Sequence, residues 1–260
     1  MIKRLLGILL CCIIVTIAVG CGKADSSRDS ENAEHNGTIE EKDRKSDSNT
    51  QTQSKLSYEI SDVGFKYQTD SSDTMRYHGY VEIINTGDCD IYMSKCTFDL
   101  EDNDGHLLQS NNNVFSFSSV IAPGEKGYFF NFMGSTTIDK GVSLDNGIKL
   151  VPQVKLTKAE AKPAAYPVSD VSVLTGDYDE IKVIGRIENT SNKDIEYLYV
   201  NVIFYDASGK VIAIAGEDAK NIEAGQKGSF EVYAWGSAGF LKLEDISDVK
   251  VIAEEVYTQQ

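Results

Sequence analysis

The sequence predicts an all-β protein built from two tandem β-sandwich domains. First, the chain repeats itself: the stretch that begins at Asn85-Thr86 aligns without a gap on the stretch that begins at Asn189-Thr190, at a constant offset of 104 residues. A period of that length fits a whole domain rather than a solenoid repeat. Second, after residue 56 short runs rich in Val, Ile, Tyr and Phe alternate with Gly, Asn and Asp. That pattern is typical of a β-sandwich.

Residues 1–20 are predicted to be a secretion signal. Lys3 and Arg4 precede an apolar run that is too short to span a bilayer comfortably. The run ends in Ala18-Val19-Gly20-Cys21, which resembles the lipobox of bacterial lipoproteins. The resemblance implies that Cys21 is lipidated and anchors the mature protein in the cell membrane, on its extracellular face. An ordinary secretory signal and an uncleaved anchor are the alternatives.

Residues 21–56 are predicted to form a disordered tether. They hold almost no hydrophobic side chain, so the apolar surface they bury cannot offset the entropy lost on ordering. A brief charged helix around Glu40 is the alternative. The whole chain carries a net charge of -15, and so acidic a protein is repelled by nucleic acid and by anionic lipids. We therefore expect no nucleic-acid partner and a membrane contact through the lipid alone.

Six strands are predicted in each of two domains, which span residues 57–157 and 166–258 and are joined by a short linker rich in Ala, Pro and charged residues. The predicted strands are 58–68, 77–85, 91–101, 107–109, 127–133 and 148–156 in the first domain, and 168–174, 182–189, 195–206, 211–217, 228–234 and 249–256 in the second.

The third strand of each domain has two distinct sides, because successive side chains of a strand point in opposite directions. The apolar side is predicted to face the core and consists of Leu198, Val200, Val202 and Phe204 in the second domain and of Ser94, Cys96, Phe98 and Leu100 in the first. The opposite side consists of Tyr197, Tyr199, Asn201, Ile203 and Tyr205 in the second domain and of Met93, Lys95, Thr97, Asp99 and Glu101 in the first.

The ends of these strands resemble the motif of the FxLYD domains. Phe98-Asp99-Leu100-Glu101-Asp102 and Val202-Ile203-Phe204-Tyr205-Asp206 carry the motif, between an upstream Asn-Thr turn and a downstream Gly turn. The first copy departs from it with Glu101 in place of Tyr, and the second with Val202 in place of Phe. The resemblance implies immunoglobulin-like β-sandwiches on secreted or lipid-anchored bacterial proteins, chiefly Gram-positive, and it transfers no catalytic residue.

The histidines do not indicate an enzyme. His78 and His106 have no counterpart in the other copy, and we expect both to be solvated loop residues. No Gly-x-Ser-x-Gly nucleophile elbow occurs in the sequence. Cys89 and Cys96 are separated by largely extended chain, too far for a disulfide, so two unpaired thiols are expected. We predict neither an enzymatic activity nor a cofactor.

The segment Asp102-Asn103-Asp104-Gly105 looks like a calcium loop but is predicted to be a structural turn. An EF-hand loop needs an acid at the position of Leu100, which is predicted to be buried. The second copy keeps the turn although Ala207 and Ser208 replace Asn103 and Asp104. We therefore expect tight hairpin turns with Gly at positive φ, and no metal.

A candidate binding face is predicted on the second domain, because exposed aromatic surface marks interaction sites. It comprises Tyr197, Tyr199, Ile203 and Tyr205, together with Tyr233 and Trp235, which share a parity on the next-to-last strand. Packing against the first domain, a covering loop or helix, and ordinary cross-strand tyrosine pairs are the alternatives.

The favoured function is that of a noncatalytic, lipid-anchored surface protein whose β-sandwich modules bind an extracellular protein or a cell-wall polymer. The alternative is an accessory or sensory lipoprotein that works beside a membrane transporter or kinase.

Overall fold

The computed structural model describes residues 54–69, 74–137, 147–176, 180–234 and 240–259. The predicted signal peptide, Cys21 and nearly all of the predicted tether lie outside these residues. The described part is all-β, as predicted, and the one helical element within it is the 3₁₀ turn Leu243–Asp245. The described residues belong to one compact unit.

The first half of the described chain, residues 58–158, forms two antiparallel sheets. Its strands are β1 (Tyr58–Thr69), β2 (Thr74–Asn85), β3 (Ile91–Asp102), β4 (Leu107–Asn111), β5 (Phe115–Ser116), β6 (Val120–Ile121), β7 (Lys126–Phe130), β8 (Gly134–Thr137) and β9 (Ile148–Lys158). Sheet A has the order β1-β2-β7-β5, with β8 also paired to β2. Sheet B has the order β4-β3-β6, with β9 also paired to β3.

The second half, residues 168–255, repeats this topology with fewer strands. Its strands are β10 (Val168–Thr175), β11 (Ile181–Glu188), β12 (Ile195–Tyr205), β13 (Val211–Ile222), β14 (Lys227–Tyr233) and β15 (Asp248–Glu255). Sheet C has the order β13-β12-β15 and sheet D the order β10-β11-β14. These orders match β4-β3-β9 and β1-β2-β7 of the first half.

Each half has its own hydrophobic core between its two sheets, which is the arrangement of a β-sandwich. In the second half the predicted core side of β12, from Leu198 to Phe204, is fully buried against sheet D. In the first half Cys96, Phe98 and Leu100 face the core as predicted. Burial raises the pKa of the Cys96 thiol to about 12, so it stays protonated and behaves as a hydrophobic side chain.

One predicted position in the first core is wrong. Met93 rather than Ser94 enters the core, where it is 3% exposed. The ladder between β3 and β9 shifts register between Tyr92 and Lys95. Side chains alternate between the two faces of a strand, so a shift of one residue moves every residue before the shift to the opposite face. Met93 therefore takes the core position that regular alternation assigns to Ser94.

The repeated Asn-Thr turns are corners fixed by a buried Asn in each half. The amide of Asn85 donates to the carbonyl oxygens of Cys89 and Ile121, at 2.8 and 3.1 Å. The amide of Asn189 donates to those of Lys193 and Ile222, at 2.8 and 2.9 Å. Both Asn side chains are 0% exposed, so the repeat in the sequence preserves a structural corner.

The two halves pack against each other through sheets A and C. Odd-numbered residues of β2 such as Tyr77 and Val81 point into the first core, whereas Tyr80 joins a cluster with residues of the second half. This joint consists of Tyr80, Phe117, Tyr128 and Phe130 from the first half and of Ile203, Val211 and Ile214 from the second. The layers therefore follow the order B, A, C, D, and sheets A and C lie inside the stack.

Candidate binding site

The structure divides the predicted binding face of β12. Tyr197 is 36% exposed and Tyr199 is half-buried. Ile203, predicted to be exposed, is 0% exposed because it lies in the joint against the first half. Tyr205 packs against the same cluster. The end of β12 that carries Tyr197 and Tyr199 thus remains at the surface, whereas the other end is occupied by sheet A.

Tyr233, another member of the predicted face, lies elsewhere. Tyr233 is on β14 of sheet D, where its hydroxyl donates to Glu231 over 2.9 Å and Lys182 lies over its ring. Sheet D covers the side of the core opposite to sheet C, so Tyr233 does not share a surface with Tyr197. Trp235 lies outside the described residues.

Tyr197 and Tyr199 form an aromatic pair at the surface. Their rings meet edge to face with centroids 5.5 Å apart. The Tyr197 hydroxyl donates to Asp218, and Lys220 lies 5.4 Å from the centre of the Tyr197 ring. Burial, aided by the hydrogen bond to Asp218, raises the pKa of Tyr197. The pair is therefore held in place before any partner arrives.

A cavity of about 340 Å³ lies beside Tyr199, between the first half and sheet C. We call it the joint cavity, because both halves contribute to its wall. Its wall includes Tyr92, Asn112 and Ser116 from the first half and Tyr199, Glu254 and Tyr257 from the second. Its volume falls in the range of small-ligand pockets, roughly 300 to 1,000 Å³.

The irregular part of β3 lines this cavity. Met93 and Ser94, which line it, are the residues at which β3 leaves its ladder with β9. The backbone N–H of Met93 bonds instead to the carbonyl of Ser119, over 2.9 Å. Bulges commonly occur beside functional sites, because they turn side chains away from the regular pleat.

Glu254 on β15 fixes the floor of the joint cavity. It is 6% exposed, and its Oε1 accepts hydrogen bonds from the backbone N–H and the hydroxyl of Ser119, at 2.7 and 3.1 Å. Its Oε2 lies 3.3 Å from the hydroxyl of Ser118. Burial raises the pKa of Glu254, and these hydrogen bonds oppose that effect. Asn201 adds a second link, because its amide donates to the carbonyl of Phe117 over 2.8 Å.

His78 is a structural residue of the joint and not the solvated loop residue that the sequence suggested. It lies on β2 and is 4% exposed. Its Nδ1 is 2.8 Å from the carbonyl oxygen of Asn131, and its Nε2 is 3.3 Å from the backbone nitrogen of Ile214. These contacts assign the proton to Nδ1 and make Nε2 the acceptor for the Ile214 N–H. Since both ring nitrogens are engaged, His78 is not placed to act as a base.

Glu82 is the second titratable group buried beside the joint. Its carboxylate accepts hydrogen bonds from the hydroxyls of Ser61 and Tyr128, at 2.6 and 2.7 Å, and pairs with Lys126 at 2.7 Å. Burial acts to raise its pKa, but the bonds from Lys126, Ser61 and Tyr128 outweigh burial, so the pKa of Glu82 is lowered. A carboxylate so fully paired is not available as an acid at neutral pH.

The Asp102 turn has the predicted hairpin geometry, with Gly105 at φ 85° and its counterpart Gly209 at φ 79°. Side-chain ligand atoms of Asp102, Asp104 and His106 all lie within 4.8 Å of one another. Asp102 is already engaged, however, because Oδ1 accepts the His106 backbone N–H at 2.8 Å and Oδ2 lies 2.9 Å from its Nδ1. The hydrogen bond to Asp102 raises the pKa of His106.

In the second copy Asp206 makes the same turn without a histidine or a second acid. Its Oδ1 accepts the backbone N–H groups of Ser208 and Lys210, at 2.8 and 3.0 Å. The carboxylates of both turns therefore bond to backbone N–H groups, which is the structural part of the prediction. That the first turn binds no metal stays a prediction.

The described residues contain no helix long and apolar enough to cross a membrane. No family model and no curated protein matches the chain. Among solved structures it is similar to a chain described as a beta-glucuronidase from glycoside hydrolase family 2, at 12% identity and a TM-score of 0.18, over 72% of this chain and 21% of that one. The protein thus spans about a fifth of that enzyme, and so slight a likeness supports no statement about its activity.

Proposed function

We propose that the protein is a noncatalytic, lipid-anchored protein of the extracellular face that binds a partner with the joint cavity and the adjacent Tyr197–Tyr199 pair. The carrying observation is a preformed cavity whose wall comes from both halves. The lipobox resemblance at Cys21 and the polar segment after it support the anchored location. The FxLYD resemblance supports a bacterial surface protein.

The joint favours binding because it holds the cavity in shape. Glu254, Asn201 and His78 each form hydrogen bonds from one half to the other. Apolar side chains fill the space beside these bonds. A site that is already ordered loses less entropy when a ligand arrives, so more of the contact energy appears as affinity.

The noncatalytic assignment draws support from the same groups. The buried titratable side chains nearest the cavity and joint, His78, Glu82 and Glu254, are each bonded to backbone or side-chain groups of the protein. A general acid or base needs an atom directed at a substrate. His78 and Glu254 bond from one half to the other, whereas Glu82 is held by partners within the first half.

Capture of an envelope partner tests the binding function. The double variant Tyr197→Ala with Tyr199→Ala should lose the partner that the full chain captures from intact envelopes, while it still unfolds cooperatively. Tyr233→Ala, which removes a tyrosine from the outer face of sheet D, is the matched control and should capture normally. Equal capture by the double variant and the control would remove the Tyr197–Tyr199 pair from the proposal.

Anchoring is tested separately with Cys21→Ser. The variant should accumulate unprocessed, without lipid. If it fractionates with the membrane in the same mature form as the natural protein, Cys21 is not the lipidated residue.

A further inference from the structure

We propose that the joint cavity binds a neutral saccharide of one or two sugar rings, held between Tyr92 and Tyr199. This inference rests on the proposed binding function and specifies the ligand class of the same site. Three properties of the cavity carry it: its size, the aromatic and largely neutral polar character of its wall, and the commitment of its carboxylate, Glu254, to other groups of the protein.

The size suits a short saccharide. A volume of about 340 Å³ corresponds to on the order of ten water molecules at roughly 30 Å³ each. A ligand of that size fills the cavity without displacing either half. A folded protein domain or a broad polymer surface does not fit, so only a terminal or branching sugar of a larger glycan would enter.

Aromatic rings from both halves line the cavity. Tyr92 of the first half and Tyr257 of the second meet edge to face, with centroids 5.3 Å apart, and Tyr199 on β12 also lines the wall. Phe115 and Phe132 add a second pair, with centroids 4.4 Å apart. The faces of aromatic rings carry partial negative charge. They therefore attract the C–H groups that cover the faces of a sugar ring.

Several polar groups of the wall have no partner within the described part of the protein. These are the hydroxyl groups of Tyr92 and Ser116 and the side-chain amide of Asn112. Each is neutral, and each both donates and accepts hydrogen bonds. Sugar hydroxyls have the same dual character. The free groups of the wall thus match the edge of a sugar ring, as the aromatic rings match its faces.

Charge argues against an ionic ligand. The charged residues of the described wall are Glu254 and Lys95. The Glu254 carboxylate is committed to Ser118 and Ser119, and Lys95 is exposed to solvent. The interior therefore offers no free carboxylate to a cation, and the net charge of the chain, -15, disfavours anions.

Calorimetric titration of the full chain, in a zwitterionic detergent that has no sugar headgroup, tests the proposal. The probes are N,N′-diacetylchitobiose, cellobiose and maltose. We expect saturable binding of at least one probe, weakened about tenfold or more, equivalent to about 1.4 kcal/mol, in Tyr92→Ala and in Tyr199→Ala. Tyr58→Ala removes a tyrosine that is 39% exposed on β1 and outside the cavity, and it should bind like the natural protein.

Two results would overturn the saccharide inference. One is that none of the three disaccharides binds; the other is that a bound disaccharide is unaffected by both cavity variants while their unfolding remains cooperative. Glucosamine and glucuronic acid, titrated in parallel, test the charge argument, and tighter binding of either than of every neutral probe also contradicts it. If envelope capture depends on the Tyr197–Tyr199 pair but no saccharide binds, the binding function stands and the ligand class is wrong.

Discussion

The Nε2 atom of His78, in the first half of the protein, accepts a hydrogen bond from the backbone N–H of Ile214, in the second half, over 3.3 Å. The opposite ring nitrogen faces the carbonyl of Asn131. The neutral imidazole therefore satisfies one donor and one acceptor within the joint. A proton on Nε2 would replace this hydrogen bond with two N–H groups that face each other at a buried position.

This contact predicts a loss of stability in mild acid. Burial lowers the pKa of His78 from 6.5 to about 4, so the unfolded chain takes up a proton between these values and the folded chain does not. Stability should fall as the pH drops from about 6.5 to about 4, by on the order of 3 kcal/mol. Urea unfolding of the natural protein and of His78→Gln at pH 7 and pH 4.5 measures this effect. The carboxylates common to both proteins cancel in the comparison, and an equal loss in both would exclude His78 as the cause.

Truncation should cost much more stability at one residue of β12 than at another on the same side of the strand. Ile203 is 0% exposed in the joint, whereas Tyr197 is 36% exposed. Ile203→Ala leaves a cavity between the halves and should cost about 2 to 5 kcal/mol. Tyr197→Ala should cost within about 1 kcal/mol, since it removes a surface ring and one hydrogen bond. Denaturant unfolding checks both values. A small cost at Ile203 would show that the halves do not pack as described.

The stability of the protein should depend on the side chain of Asn189, which fixes the buried corner of the second half. In Asn189→Ala the carbonyl of the buried Ile222 and the backbone N–H of Ser191 lose the Asn189 side chain as partner, and the carbonyl of Lys193 keeps only the Ser191 hydroxyl. Losing these hydrogen bonds at a buried corner should cost on the order of 3 kcal/mol. Asn113→Ala, at an exposed position, is the matched control and should change stability by within about 0.5 kcal/mol. Similar costs for the two variants would contradict the role of the corner.

Calcium should leave the first half unchanged. Because Asp102 is bonded to the His106 backbone and ring, we expect millimolar calcium to leave the melting temperature unaltered within error. Asp104→Ser, which introduces the residue of the second copy, should behave in the same way. A saturable stabilisation of the natural protein that disappears in this variant would establish a metal site at the turn.

The sequence was informative where periodicity is regular and where the two copies agree. The core side of β12 follows from alternation alone, and the paired Asn85 and Asn189 mark corners that both halves require. Met93 could not be placed, because a bulge in β3 reverses the faces and leaves no clear mark in the residue pattern. The short strands β5, β6 and β8 were missed for a related reason, since two to four residues are too few to establish a period.

The candidate site was predictable only in part. Tyr197 and Tyr199 were recognised from their aromatic character, yet a face that packs on a neighbouring domain has the same alternation as a face that binds a partner. That Ile203 is buried whereas Tyr197 is exposed therefore depends on tertiary packing, which alternation along one strand does not show. A usable signal existed in β2, where His78, Tyr80 and Glu82 alternate with apolar residues and are all buried. The joint cavity had no signal in any single segment, since its wall comes from distant parts of the chain.

The joint also bears on how a duplicated fold avoids polymerising. It pairs sheet A of one half with sheet C of the other, and these sheets are not equivalents, so identical copies joined in this way would add further copies without end. The outer sheets interrupt such growth. Sheet B carries Lys95 and Asp99 at positions equivalent to Tyr199 and Ile203, and sheet D carries Lys182 and Arg186 at positions equivalent to His78 and Glu82. We therefore expect the divergence of the two copies to disfavour a further copy at either end of the stack.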